Sequence, residues 1–232
     1  MNELFISNEG KAMQDMRLEK IYLEAGRLFN HKGYANTKVS EIAVAAGVAT
    51  GTMYNLFTGK EAILSFIIQA TLDKTWIEQD ISLPMKPIDV TILKNSLQKV
   101  VNETFDTVMV IKDKKGKLCK DFPILISEIF DLFADYLLAF DNIERNSEVL
   151  EELYEEYYPA KKRFYELLEE YLKCYMEVGQ IRQIEYLPLH IQSLIDTLTW
   201  WALNSYISTQ MKVPREIAKQ IGVEIVVRAY SI

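Results

Sequence analysis

Between Thr37 and Lys60 the chain sets out a run of groups that can donate or accept hydrogen bonds: Thr37, Thr50, Thr52, Tyr54, Asn55 and Lys60, with Gly51 leaving a small gap among them. Hydroxyls and an amide at such spacing suit phosphate oxygens and the edges of base pairs in a major groove. Lys60 falls in the first turn of a predicted helix, where the dipole favours acids. A phosphate held at that N-terminus would account for a lysine there.

These groups need a scaffold, and the apolar positions supply one. Val39, Ile42, Ala43 and Ala46 fall on one helical face, and Val48, Met53, Leu56 and Phe57 on a second, shorter one. Gly47 between them tolerates positive φ and can end the first helix in a sharp turn. Two short amphipathic helices joined this way make a helix-turn-helix. Thr37 is placed to N-cap the first helix, with Ser40 where a capping box would have an acid. Ala45, Ala46 and Ala49 are small enough for a close helix crossing. The second helix, about Ala49 to Phe57, then turns Thr50, Gly51, Thr52, Tyr54 and Asn55 outward. Thr58 and Glu61 have capping-box spacing for a third helix. Ahead of all this, Leu18, Ile21, Ala25, Leu28 and Phe29 predict a helix from about Met13 to Lys32, ended by Gly33, with His31 in its last turn. Residues 1 to about 12 read as a loose arm.

From about Ile21 to Leu64 this pattern resembles the DNA-binding domain of the TetR family of bacterial transcriptional repressors. The resemblance is carried by Ala25, Leu28, Phe29, Gly33, Tyr34, Thr37, Val39, Ile42, Ala43, Ala46, Gly47, Val48, Gly51, Thr52, Tyr54, Phe57, Lys60, Glu61 and Leu64. The chain departs from the family at Ala49 and Thr50, where Ser and then a basic residue are common, and at Leu56, where an aromatic is common. Thr50 is the available replacement for the missing cap. The resemblance implies an all-α fold of about nine helices. It divides the chain into an N-terminal three-helix DNA-binding domain over 1–60 and a C-terminal helical-bundle domain for effector binding and dimerisation over 61–232. Thr50, Thr52 and Asn55 are then expected to read bases, and Thr37, Tyr54 and Lys60 to hold phosphates.

The net charge of −7 opposes nucleic acid, but it is unevenly spread. Residues 11–60 carry +3, and residues 61–232 carry −8. A basic head on an acidic body suits a protein that meets DNA at one end. The 49% apolar content matches a globular protein, and no run of about 18 apolar residues predicts a membrane span. The start MNELFISNEG lacks the pattern of a signal peptide. Cys119 and Cys174 give neither a disulfide framework nor zinc spacing. The expected location is cytoplasmic, with no metal and no cofactor. An enzyme is not expected: the body has one histidine, His190, no Glu-x-x-His pair and no Gly-rich phosphate loop.

Beyond residue 60 the periodicity predicts helices over about 60–78, 88–109, 123–140, 147–178, 188–210 and 214–229, and no strand. Breaks fall at Leu83–Pro87, at the basic loop Lys112–Lys120 and at the polar stretch Asn142–Asn146. Pro159 is a candidate kink and Gly179 a stop.

Fifteen of the 26 aromatic residues lie between Phe130 and Tyr206. Core packing accounts for them, and so does a ligand cavity, since pockets are mostly apolar with few polar groups. The resemblance implies an effector pocket, for which Phe105, Phe133, Tyr171, Tyr175, Trp200, Trp201 and Asn204 are candidates, and the acidic, aromatic body suits an apolar or cationic molecule. Ala218, Gly222 and Ala229 keep one strip of the last helix slim enough for a partner helix. The family pairs its last two helices with their copies. A homodimer of that kind would read a pseudo-palindromic operator in double-stranded DNA, one head per half-site. The expected function is a repressor released by a small-molecule effector. A DNA-bound structural protein, or an activator without an effector, is the alternative.

Overall fold

The computed structural model describes residues 9–78, 81–114, 116–207 and 213–232, with the side chains of 9–15, 78 and 204–207 left aside. Among the described residues the protein is helical, with isolated β-bridges and no strand. Nine α-helices follow one another among the described residues: α1 Glu9–Lys32, α2 Val39–Ala46, α3 Thr50–Leu56, α4 Lys60–Leu72, α5 Val90–Glu103, α6 Phe122–Arg145, α7 Glu151–Glu177, α8 Leu187–Ile207 and α9 Arg215–Tyr230. They form two compact units.

The first unit takes in the chain up to Leu97 and the segment Leu138–Glu156. Its core gathers Ile21, Ala25 and Phe29 of α1, Ile42 and Ala46 of α2, Met53 and Leu56 of α3, and the whole of α4 from Ala62 to Leu72. Phe66 sits among aromatics, edge-on to Tyr22 and tilted against Phe57 and Trp76. The helix expected over 60–78 stops at Leu72. Asp73 accepts bonds from the amide and hydroxyl of Thr75, and a 3-10 turn, Lys74–Glu78, follows. Such local side-chain bonds compete with the helical ladder and end it. The helix expected to start near Met13 already runs from Glu9, and residues 1–8 of the expected loose arm lie outside the described residues.

Of the polar stretch Asn142–Asn146, expected as a break, residues 142–145 are the last turn of α6, and Asn146 opens the turn that leads to α7. Asn142 and Asn146 are buried, 0% and 5% exposed. The Asn142 amide donates to the carbonyls of Leu138 (2.8 Å) and Gly26 (3.4 Å), and that of Asn146 donates to the Asn142 carbonyl (3.0 Å). The side-chain oxygen of Asn146 accepts the Tyr34 amide at 2.7 Å. Asn142 can stay within the helix because its buried amide has carbonyls to donate to.

The second unit comprises Gln98–Leu137 and Tyr157–Ile232. Its core packs Phe122, Leu125, Ile129 and Phe130 of α6 with Leu168, Leu172 and Tyr175 of α7, Leu194 and Leu198 of α8, and Ala218 and Val226 of α9. Pro159 lies within α7 on an exposed position. A charge cluster ties α9 to α6: Arg215 donates to Asp131 and Asp135, and Lys219 to Asp131. The loop around Lys112–Lys120 is a small hairpin, bridged at Lys112 and Leu118. Its Lys120 is engaged by Glu128 and by the carbonyls of Thr107 and Val108.

Candidate nucleic-acid interface

α2 ends at Gly47, which takes φ 66° and ψ 32°, and Val48 N donates to the Ala43 carbonyl at 2.9 Å. This left-handed cap swings the chain into α3. Met53 and Leu56 of α3 are buried, whereas Thr50, Gly51, Tyr54 and Asn55 are exposed and Thr52 is half-buried. The i, i+4 pairs Thr50/Tyr54 and Gly51/Asn55 therefore make one outward stripe. After α3 the chain is pinned by an extended segment: Met85 N donates to the Leu56 carbonyl (2.7 Å) and Thr58 N to the Met85 carbonyl (2.8 Å).

The capping expectations change. α2 is capped at Lys38, whose amide donates to the Glu41 carboxylate at 3.0 Å, so Glu41 supplies the acid that Ser40 does not. Thr37 is 1% exposed, and its hydroxyl donates to the carbonyls of Gly33 (2.8 Å) and Leu28 (3.3 Å). It holds the turn from α1 to α2 and offers no hydroxyl to a phosphate. Thr50 does not replace the missing cap of α3: the N-cap is Ala49, with no side-chain bond. Thr58 does not cap α4, whose N-cap is Gly59; its hydroxyl donates to the Met85 carbonyl instead.

Lys60 is also engaged. Its Nζ donates to the carbonyls of Tyr34 (2.6 Å) and Ala35 (3.4 Å) and lies 4.2 Å above the Tyr34 ring. An ammonium has three donors. At most one therefore remains for a phosphate, and the first role of Lys60 is to brace the loop that carries Thr37. Burial, with Glu61 nearby, raises the pKa of Tyr34. Lys32 pairs with Glu41 at 3.0 Å. The Glu41 carboxyl is held below its ordinary range, first by the Lys38 amide and then by Lys32. Arg27 is paired with Glu24 at 2.9 Å.

The braces from Asn146 and Met85 were not visible in local sequence. An Asn-x-x-x-Asn spacing inside an otherwise apolar helical pattern was the one available signal for the first.

The proposed ligand residues fall in the second unit, in different surroundings. Tyr175 has no exposed surface and donates to the Lys120 carbonyl at 2.9 Å. Phe133 is 9% exposed and packs on Phe164. These two are core. Burial pushes the Tyr175 hydroxyl well above the ordinary tyrosine range. Tyr171 donates to the Met109 carbonyl. Phe105 is half-buried with the Arg163 guanidinium 4.4 Å over its ring. Trp200 and Trp201 meet edge-on and border an open groove along α8 with Leu189, Gln192, Ser193, Asp196 and Thr197. The side chain of Asn204 lies outside the described residues.

Residues 21–65 match the family model of the bacterial regulatory proteins, tetR family. No curated protein sequence matches the chain. Among solved structures, the ketosteroid transcriptional regulator KstR2 of Mycobacterium tuberculosis is similar, with 15% identity, 98% of each chain covered and a TM-score of 0.51. A transcriptional regulator from Saccharomonospora viridis, solved in complex with choline, has 13% identity over 93% of this chain and 97% of its own, with a TM-score of 0.50. Such low identities speak for the fold. The helix-turn-helix lies within the matched segment, and over residues 21–65 the chain is similar to the bacterial regulatory proteins of the tetR family.

Proposed function

We propose that the protein is a dimeric repressor that reads a pseudo-palindromic operator and is released by a small molecule. The observation that carries the DNA contact is the outward stripe Thr50, Gly51, Tyr54 and Asn55 on a short helix whose other face is locked into the core. Hydrogen-bonding groups exposed on a rigid support are what base-edge readout requires.

The dimer reading is supported by α8 and α9, which pack on each other and still expose Leu189 (71%), Trp200 (48%), Ile217 (47%) and Ile225 (46%). The slim strip expected to face a partner helix has another use. Ala218 is fully buried, and a Cβ on Gly222 would come within 3.1 Å of Trp201 Cβ in the same chain. A partner would therefore meet the isoleucines and Trp200 rather than the small residues. The effector reading is supported by the aromatic content of the second unit and by a fold that holds choline in the regulator from S. viridis. An apolar or cationic molecule is the class proposed.

Selection of bound sequences from random duplex DNA, with the complex sized in solution, tests this. A palindromic motif bound by a dimer is expected. Absence of any enriched motif at low salt would overturn the DNA reading. An effector must lower operator affinity by the same factor by which operator lowers effector affinity.

A further inference from the structure

We propose that this helix-turn-helix reads A·T base pairs, with Asn55 on adenine and the threonine methyls of Thr50 and Thr52 against thymine. This rests on the DNA-binding reading above and specifies its partner. The major-groove edge of guanine presents two acceptors, N7 and O6, and its commonest specific reader is a bidentate arginine or lysine. α3 carries no cation: its seven residues are TGTMYNL. Across the whole span from Thr37 to Lys60 the only cations are Lys38 and Lys60. Lys60 is held by the carbonyls of Tyr34 and Ala35. Lys38 is at the N-cap of α2, the helix that crosses the backbone in this motif, and so is placed for phosphate. The cations that end α1 nearby, Arg27 and Lys32, are paired with Glu24 and Glu41.

What α3 does present has a different preference. Adenine offers an acceptor at N7 beside a donor at N6, which matches the donor and acceptor of one carboxamide, and Asn55 is the exposed carboxamide of the stripe. Its amide has no hydrogen bond among the described residues, so it enters the groove without giving up an internal partner. Gly51 lies one turn before Asn55 with open space where a Cβ would stand, which lets the base edge come close. Thr50 is exposed and Thr52 half-exposed. Each carries a methyl group, and thymine is the base with a methyl in the major groove.

The experiment is selection from random duplex DNA with the full chain, followed by affinity measurements on the selected site. A·T pairs are expected at the positions of each half-site that α3 contacts. Asn55→Ala is expected to lower affinity for that site about ten- to a hundredfold and to erase its preference at one symmetric pair of positions. Replacing thymidine by deoxyuridine at the contacted steps is expected to weaken wild-type binding a few-fold. Asn55 is exposed, so an unchanged melting temperature confirms that the variant folds. Enriched half-sites with G·C at those positions, an Asn55→Ala variant with unaltered preference, or deoxyuridine duplexes bound as tightly as the parent would overturn this proposal while leaving the DNA reading standing. No enriched motif at all would remove both.

Discussion

At the helix-turn-helix, the side chains with something to offer a partner stand in solvent, and their supports are buried. In the bundle of the second unit, the conspicuous aromatics mostly face inward. Asn55 and Tyr54 are exposed, and beneath them Met53 and Leu56 are locked in. Tyr175 and Phe133 are core, and the hydroxyls of Tyr171 and Tyr175 hold the backbone at Met109 and Lys120. A short amphipathic helix has only two faces, so a residue off its apolar face has nowhere to go but outward. A long helix inside a bundle can be apolar nearly all round, and an aromatic on it reads the same whether it packs or lines a cavity.

The strongest way to break this comparison is Tyr175→Ala. If Tyr175 is core, the melting free energy should fall by about 3–5 kcal/mol, as for other large core aromatics. A variant as stable as the parent, with an altered effector response, would return Tyr175 to a pocket. Next is Asn146→Ala, which leaves the half-buried Tyr34 amide without its partner. A loss of about 1–3 kcal/mol is expected, with DNA affinity falling alongside stability because the loop ahead of α2 loosens. Thermal melting in parallel with binding isotherms measures both. Gly47→Ala should cost about 1 kcal/mol or more from its left-handed backbone alone, since no neighbour lies within 4 Å of the added methyl.

A sharper contrast comes from Asn55→Ala. Stability should stay within about 0.5 kcal/mol of the parent, as for other surface changes, while operator affinity drops. The smallest effect is the pH dependence at Glu41. Its lowered folded pKa means the folded state favours the carboxylate. That contribution is complete above the ordinary carboxylate range and is lost as pH falls through the lowered value. Titration of the Lys38 amide resonance should follow it, and Glu41→Gln should flatten the response.

Much of the first unit was legible because its signals are local. Gly47 announced the turn, and the spacing of Ile42, Ala46, Met53 and Leu56 the buried faces. The bracing roles of Thr37 and Lys60 were missed for the same reason. Their residue types suit phosphate, and nothing within a few positions shows that the carbonyls of Gly33, Leu28, Tyr34 and Ala35 would take their protons. The break was placed too early, at Asn142, because polar residues in a helical pattern do break helices unless acceptors await them; α6 runs on to Arg145 and the turn begins at Asn146.

By itself the sequence determined the helical class, the helix-turn-helix with its outward stripe, and the absence of any cation from α3, since each follows from periods of three to four residues and from residue type. Only the tertiary structure decided which polar groups are free and which are braces, and whether an aromatic is core. A hydrogen bond between Tyr34 and Asn146 spans 112 positions, and no pattern within one helix encodes the partner at the other end.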